Sequence, residues 1–252
     1  MRVKILGSGT STGVPEIGCT CEVCTSANAK DKRLRASAIV YTDDATILID
    51  CGPDFREQML HTPFGKIDGV LITHEHYDHV GGLDDLRPFC RFGEVPLYAE
   101  KYTSDALRLR MPYCFAEHRY PGVPNIYLEE ITPGIPFAIN KTSILPIRVM
   151  HGRMPILGYR IGKIAYITDM LTMPEESFKQ LEGVEVLILN ALRSMPHLSH
   201  QTLEEALGVV KRIAPKQTYL IHMSHHIGLH DEVQKNLPAD VYLAYDGMEF
   251  TL

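Results

Sequence analysis

The chain has 252 residues, 45% hydrophobic and 22% charged, a globular composition that excludes a disordered chain. At this length folding buries roughly 70–75% of the unfolded chain's surface, so a core needs no disulfide staples. A formal net charge of −6 argues against a broad electrostatic footprint for nucleic acid or an anionic membrane, and no apolar run is long enough for a membrane helix.

The N-terminal MRVKILGSGTSTGVP has no apolar stretch followed by a small-residue cleavage site, so a cytoplasmic protein is expected. Short β-like runs then recur between turn residues, at Val3–Leu6, Ser37–Tyr41, Thr46–Ile49, Gly69–Thr73, Leu97–Ala99, Ser143–Met150, Gly158–Ile161, Ile164–Thr168, Val184–Leu189, Gln217–Ile221 and Val241–Ala244. Helical patterns lie between some of them. Asp54–Leu60 and Leu83–Phe89 are weak. The stronger one places Leu203, Ala206, Leu207, Val210 and Ile213 on one face, with Thr202 and Glu205 at capping-box spacing and Pro215 as a stop. Glu100–Asn125, rich in tyrosine and proline, reads as an irregular surface insertion. No repeat or linker divides the chain, so residues 1–252 are expected to form one α/β domain.

Five of the apolar runs stop at a residue able to bind metal. ATILI is followed by Asp50, GVLIT by His74, LPIRVM by His151, AYIT by Asp169 and TYLI by His222. Ligands of open α/β sheets bind outside the carboxyl ends of strands, so five such ends can converge on one site. The segment His74-Glu75-His76-Tyr77-Asp78-His79 adds donors at four of six positions. In a tight loop this spacing can present His74 and His76 to one ion and Asp78 and His79 to a neighbour, and imidazole with carboxylate suits zinc, manganese, iron or cobalt. Val80-Gly81-Gly82 then lets the chain turn closely past the site.

Three of the six cysteines, Cys19, Cys21 and Cys24, crowd into six residues. Pairing them leaves one over and strains a Cys–x–Cys bridge, whereas three thiolates can share a tetrahedral zinc with one further ligand. Cys51, Cys90 and Cys114 have no evident partners and read as ordinary thiols. Ser8–Gly13 can present backbone N–H groups to a phosphate but lacks the lysine of a P-loop, and a structural turn is an equal reading. Arg153, Arg160 and Arg193 lie near site segments and are able to pair with an anion, although each also reads as a solvated arginine. Asp246-Gly247 is first a turn signal.

The order GSGTSTGVP, CTCEVC, LIDCG, THEHYDH, YITD, IHMSH, YDGME resembles the metallo-β-lactamase superfamily along essentially the whole chain. It resembles most the PhnP-like branch, the phosphoribosyl cyclic phosphate phosphodiesterases associated with phosphonate breakdown. The resemblance implies a four-layer αββα sandwich of two mixed β-sheets flanked by helices. It implies a first ion on His74, His76 and His151, a second on Asp78, His79 and His222, and Asp169 between them. Asp78 counts among the catalytic residues as well as the ligands. Asp50 falls outside that set, and reads equally as a turn residue or as a carboxylate that orients a ligand histidine. The fourth ligand to the structural zinc would be His225, with His226 and His230 as substitutes.

The activity implied is hydrolysis of a small, anionic, cyclic phosphodiester by a hydroxide bridging two divalent ions roughly 3.5–4 Å apart, manganese, zinc or iron. His200 would assist the leaving group, with His197 as runner-up; both precede a helix, whose dipole disfavours an imidazolium there. A tRNA 3′-processing nuclease shares the motif but generally carries a long arm, for which Glu100–Asn125 is too short. A thioesterase or lactonase uses the same attack on a carbonyl, and a metal-containing binding module is the non-enzymatic alternative. Neither a long nucleic acid nor a membrane is an expected partner; a homodimer is compatible with the sequence.

Overall fold

A computed structural model describes residues 1–252. The strands are β1 (Arg2–Gly7), β2 (Ser37–Tyr41), β3 (Thr46–Ile49), β4 (Gly69–Leu71), β5 (Val95–Glu100), β6 (Ile126–Ile131), β7 (Phe137–Ile139), β8 (Thr142–His151), β9 (Met154–Ile161), β10 (Ile164–Ile167), β11 (Val186–Asn190), β12 (Gln217–Ile221), β13 (Val241–Leu243) and β14 (Glu249–Thr251). They form two seven-stranded sheets, in the orders β14-β1-β2-β3-β4-β5-β6 and β13-β12-β11-β10-β9-β8-β7. Each sheet is mixed in the same way. Antiparallel pairs occupy one half, and a parallel run from β3 to β6 or from β10 to β13 occupies the other.

The sequence builds four layers because its strands alternate and bury both faces. Ala38, Val40, Ile47 and Ile49 meet Tyr159, Ile164, Tyr166, Val186 and Ile188 between the sheets. Their neighbours Ile39 and Leu48 face outward against Phe55, Leu83, Leu86, Phe89 and Leu107. On the other side Ala165, Ile167, Leu187 and Leu189 face Ala206 and the helix Leu203–Ile213. That helix begins with the expected capping box: Thr202 Oγ1 accepts from the Glu205 N–H, and Glu205 accepts from the Thr202 N–H. No helix is long and apolar enough to cross a membrane.

The structure corrects one sequence expectation. Glu100–Asn125 is not irregular throughout, because Lys101–Arg110 is an α-helix followed by a short helical turn at Pro112–Phe115. Its buried face consists of Thr103, Ser104 and Leu107, two of them polar, so hydrophobic periodicity does not reveal it. The short strands β6, β7 and β14 and the helices Glu175–Gln180 and His230–Lys235 were likewise not marked by the sequence pattern. The weak pattern at Leu83–Phe89 is a 3-10 helix running from Leu83 to Phe92.

Candidate metal centre

The five strand ends singled out in the sequence meet at one edge of the sandwich. β3, β4, β10 and β12 belong to the parallel runs, and β8 points the same way as β10 because two antiparallel pairings separate them. Asp50, Asp169 and His222 sit at φ of 58°, 56° and 54°, the left-handed region that non-glycine residues rarely occupy. Each follows a buried strand immediately or after one residue, so the unusual backbone turns the side chain out of the sheet and into the pocket. Such outliers concentrate where surrounding structure holds them for function.

Ligand atoms of His74, His76 and His151 lie within 4.8 Å of one another, as do those of Asp78, His79, Asp169 and His222. The two groups adjoin, with the His74 and His79 ring centroids 4.3 Å apart. Asp169 reaches across the pocket. Its Oδ2 is 3.1 Å from His79 Nε2, and its Oδ1 is 3.1 Å from His222 Nε2 and 3.7 Å from His200 Nδ1. It also shares a 4.8 Å cluster with His151 and His200.

Partners outside the pocket decide how the imidazoles face. His79 Nδ1 donates to Asp50 Oδ2 at 2.7 Å, and His151 Nδ1 donates to the Ser199 carbonyl at 3.0 Å. Thr73 Oγ1 donates to Asp50 and lies 3.0 Å from His74 Nδ1, from which it accepts. Asp50 also accepts the Thr73 N–H at 2.8 Å. With Nδ1 occupied, each of these rings turns Nε2 inward, as a metal-binding histidine requires. Asp50 is thus an orienting residue rather than a plain turn.

The arrangement fits a cation better than it fits hydrogen bonding. His79 Nε2 and both ring nitrogens of His222 are buried with no directed hydrogen bond, although carboxylate oxygens stand 3.1–3.6 Å from the Nε2 atoms. Apart from His74 Nε2 and His76 Nδ1, which lie 3.0 Å apart, the ring nitrogens converge on shared space. Burial opposes charge on Asp78 and Asp169, but His79 and His222 outweigh it and hold both carboxyls below the ordinary range. Burial, reinforced by His79 and His76, pushes His74 well below its ordinary value. Ionised carboxylates beside neutral imidazoles are the protonation state a divalent ion needs. At His79 burial is overcome by Asp169, Asp78 and Asp50, which raise it strongly, because three carboxylates around one ring call for a positive charge. A divalent ion satisfies the same demand.

His200 and His197 stand at the rim. The His200 ring lies 4.5 Å from His151, 4.9 Å from His222 and 5.0 Å from His197, centroid to centroid. Burial and His222 lower its pKa to about 3, so the free protein carries a neutral imidazole there. His197 is exposed.

The cysteine group is assembled separately. Cys19, Cys21 and Cys24 Sγ lie 3.2, 3.3 and 3.3 Å from His225 Nδ1. His226 is exposed beside it, and His230 is turned away to pair with Arg33 and Asp31. The thiols are unequal: the Cys24 N–H lowers Cys21 to about 6, and burial pushes Cys24 up to about 11. Three sulfurs around one imidazole nitrogen match a tetrahedral zinc set. Glu16 adds a carboxylate 3.4 Å from His225 Nε2.

Sequence reasoning missed the supporting residues. Thr73 and Thr168 each precede a pocket residue, and the Thr168 hydroxyl donates to Asp169 Oδ2 at 2.7 Å. The repeated Ile-Thr before His74 and Asp169 was the available signal. Asn190 brackets Met170 through both its N–H and its carbonyl at 2.9 Å, and Arg110 donates to the Glu75 carbonyl. Neither has a local sequence signal. Ser8–Gly13 behaves as a structural segment: Ser8 O and the Thr10 N–H pair with Met223, and Ser8 is bonded to Asp246.

Comparison with known proteins agrees with this geometry. Residues 45–223 match the beta-lactamase superfamily domain. A solved diphosphatase of the PhnP family is 40% identical, with a TM-score of 0.92 over 99% of this chain and 97% of its own. An octanoyltransferase of Porphyromonas gingivalis is 47% identical over 251 residues, but the chain spans only 51% of its length. A ribonuclease Z of Anoxybacillus flavithermus is 25% identical over 88% of this chain and 87% of its own. The chain belongs to the metallo-β-lactamase superfamily.

Proposed function

We propose that the protein is a dinuclear metal-dependent phosphodiesterase acting on small phosphodiesters, cyclic ones included. The observation that carries this is the pocket itself, in which seven metal-binding side chains from both sheets converge and ring nitrogens of His79 and His222 are buried without a hydrogen bond. His74, His76 and His151 would hold one ion, and Asp78, His79 and His222 the other. Asp169 would face both, since it clusters with His79 and His222 on one side and with His151 on the other. When bound, a divalent pair brings a water close to neutral pKa and neutralises charge on a phosphoryl group. Likeness to the PhnP-family diphosphatase supports phosphorus rather than carbon as the centre attacked.

The chain's own residues supply position and protons. Asp50, Thr73 and the Ser199 carbonyl hold three imidazoles in one orientation. His200, buried at the rim, presents a ring nitrogen beside Asp169, where a leaving oxygen would emerge. An incoming phosphate brings the negative charge that favours a proton on that ring. Cys19, Cys21, Cys24 and His225 would bind one zinc, and His225 lies three residues beyond His222. That zinc would brace the segment carrying a catalytic ligand.

The test is hydrolysis of bis(p-nitrophenyl) phosphate with added manganese. Activity is expected, and His76→Ala is expected to abolish it. Turnover of acyl thioesters alone would overturn the phosphodiesterase reading in favour of a thioesterase. Cleavage of long RNA alone would favour a nuclease.

A further inference from the structure

The residue after the pocket histidine His222 is clamped from the other sheet. Met223 donates its N–H to the Ser8 carbonyl at 3.0 Å and accepts the Thr10 N–H at 3.1 Å, a short parallel bridge between Gly9 and Met223. Ser8 and Gly9 directly follow β1, so the bridge ties the two sheets together beside the pocket. Gly9 permits the close approach of the neighbouring chain, since a Cβ there would stand 2.8 Å from Arg33 Cβ. His222 itself sits at φ 54°, a conformation that a non-glycine residue keeps only where its surroundings hold it.

What holds Ser8 is a carboxylate from the C-terminal turn. Asp246 Oδ1 accepts the Ser8 N–H and the Ser8 hydroxyl, both at 2.8 Å, and Oδ2 accepts the Leu34 N–H at 2.6 Å. The Leu34 carbonyl in turn accepts the Gly9 N–H at 2.8 Å. Ser8 Oγ also accepts from Arg33 Nη1 at 3.0 Å, and that nitrogen donates to the Ala244 carbonyl at 2.8 Å. Ser8 is fully buried and Arg33 nearly so. A plain turn explains Gly247 at φ 85°, but not a carboxylate whose two oxygens bind residues 238 and 212 positions away. Bonds from an ionised carboxylate to N–H groups are about twice as strong as neutral ones, which suits Asp246 to fix the Ser8 backbone.

We propose that Asp246 is a positioning residue for His222: through Ser8 and the Met223 peptide it fixes the backbone turn that aims this imidazole into the pocket. The proposal rests on His222 being a ligand of the pocket's second ion. It adds a second anchor to the segment that the cysteine group holds at His225.

Manganese(II) binding to the full chain, followed through the paramagnetic resonance of the free ion, tests it. Manganese favours oxygen and nitrogen donors over thiolates, so it reports on the pocket rather than on the cysteine group. Asp246→Asn keeps the size of the side chain but sets an amide NH2 against one of its three donors. It should weaken one of two bound ions by about 10- to 100-fold, the range for losing a partner behind a ligand, and leave the other unchanged. Ser8→Ala, which removes only the hydroxyl, should weaken the same ion by less. Val186→Ala truncates the core at the end of β11 away from the pocket, so it shows what lost stability alone does, and both ions should bind it as they bind the wild type. Equal weakening of both ions by Asp246→Asn, a selective loss that Val186→Ala reproduces, or unchanged binding would each overturn the proposal. If Asp246→Asn does not fold, Ser8→Ala decides by the same criteria. A His222→Ala variant that binds two ions as tightly as the wild type would instead overturn the ligand reading, and this inference with it.

Discussion

The pocket and the cysteine group lie on either side of one short segment, His222 to His225, yet they are built on opposite principles. Pocket donors come from strand ends in both sheets, are mostly buried, and have partners of their own at Asp50, Thr73, Thr168 and Ser199. The cysteine group draws three of its four donors from one loop, and Cys21 is exposed. Its local frame is a four-residue helix, Glu22–Thr25, that Cys21 caps by accepting the Cys24 N–H. The fold therefore preorganises the pocket, whereas the loop depends on what its thiols hold. Removing an ion should cost function in the first region and structure in the second.

The largest effect expected is at Asp169, which touches both histidine groups. Asp169→Ala should lower kcat/KM for a diester by about 10³-fold, the scale of losing an electrostatic group at a reacting centre. Its melting temperature should fall far less than activity, because the hydrogen bond it gives up is the one from the neighbouring Thr168 hydroxyl while those to Asp50 and Ser199 stay. Steady-state kinetics beside calorimetry check both halves. A melting temperature that collapsed together with activity would erase the contrast.

Cys21→Ser should do the reverse. Bound zinc, counted by elemental analysis, should fall by one equivalent per chain. Each tenfold loss of metal affinity removes about 1.4 kcal/mol of stabilisation, and in a chain of this size 1 kcal/mol moves Tm by about 2–4 °C. A hundredfold loss therefore predicts a drop of about 5–11 °C in Tm. If zinc content and Tm both stayed at their wild-type values, the thiols would be no zinc site.

A subtler substitution sharpens the idea of preorganisation. Asp50→Asn keeps size and shape but places an amide where His79 Nδ1 now donates. That disfavours the tautomer with Nε2 free for the pocket. Loss of an orienting partner of this kind costs about 10- to 100-fold in metal affinity or activity. A manganese titration of activity checks it, and an unchanged curve would mean that the 2.7 Å contact is not what aims His79.

How much of this was legible beforehand follows from the same contrast. Strand ends and cysteines announce themselves because an apolar run stopping at histidine or aspartate, and three thiols in six residues, are local patterns. The αββα layering was implied by resemblance, and strand alternation with both faces buried now explains it. Orientation was less visible. Asp50 was read equally as a turn, and nothing local marks Ser199, whose contribution is a backbone carbonyl, or Arg110, whose partner lies 35 residues away. The helix at Lys101–Arg110 escaped notice because its buried face is largely polar. The three arginines looked alike because the sequence does not show that Arg160 and Arg193 commit their donors to backbone carbonyls.

His230 carries the smallest effect, and it tests the frame beneath the cysteine loop. Sequence alone left it as a substitute ligand. In the fold it is buried, its N–H donates to Asp31 Oδ1 at 2.8 Å, and its Nδ1 faces Arg33 Nη2 at 3.3 Å. Arg33 always carries its protons, so Nδ1 must accept and the imidazole must stay neutral. Burial, then Arg33 and Lys30, lower its pKa to about 4. A histidine lowered on folding binds protons more readily when unfolded, so it contributes stability above about pH 6.5 that is lost as pH falls toward 4. Its contribution should be about 1 kcal/mol, short of the full shift because partial solvation screens it. His230→Gln, which keeps an acceptor for Arg33 but cannot titrate, should flatten the decline of Tm between pH 6.5 and 4 and leave bound zinc unchanged. A loss of zinc in that variant would return His230 to the cysteine site and displace His225 from it.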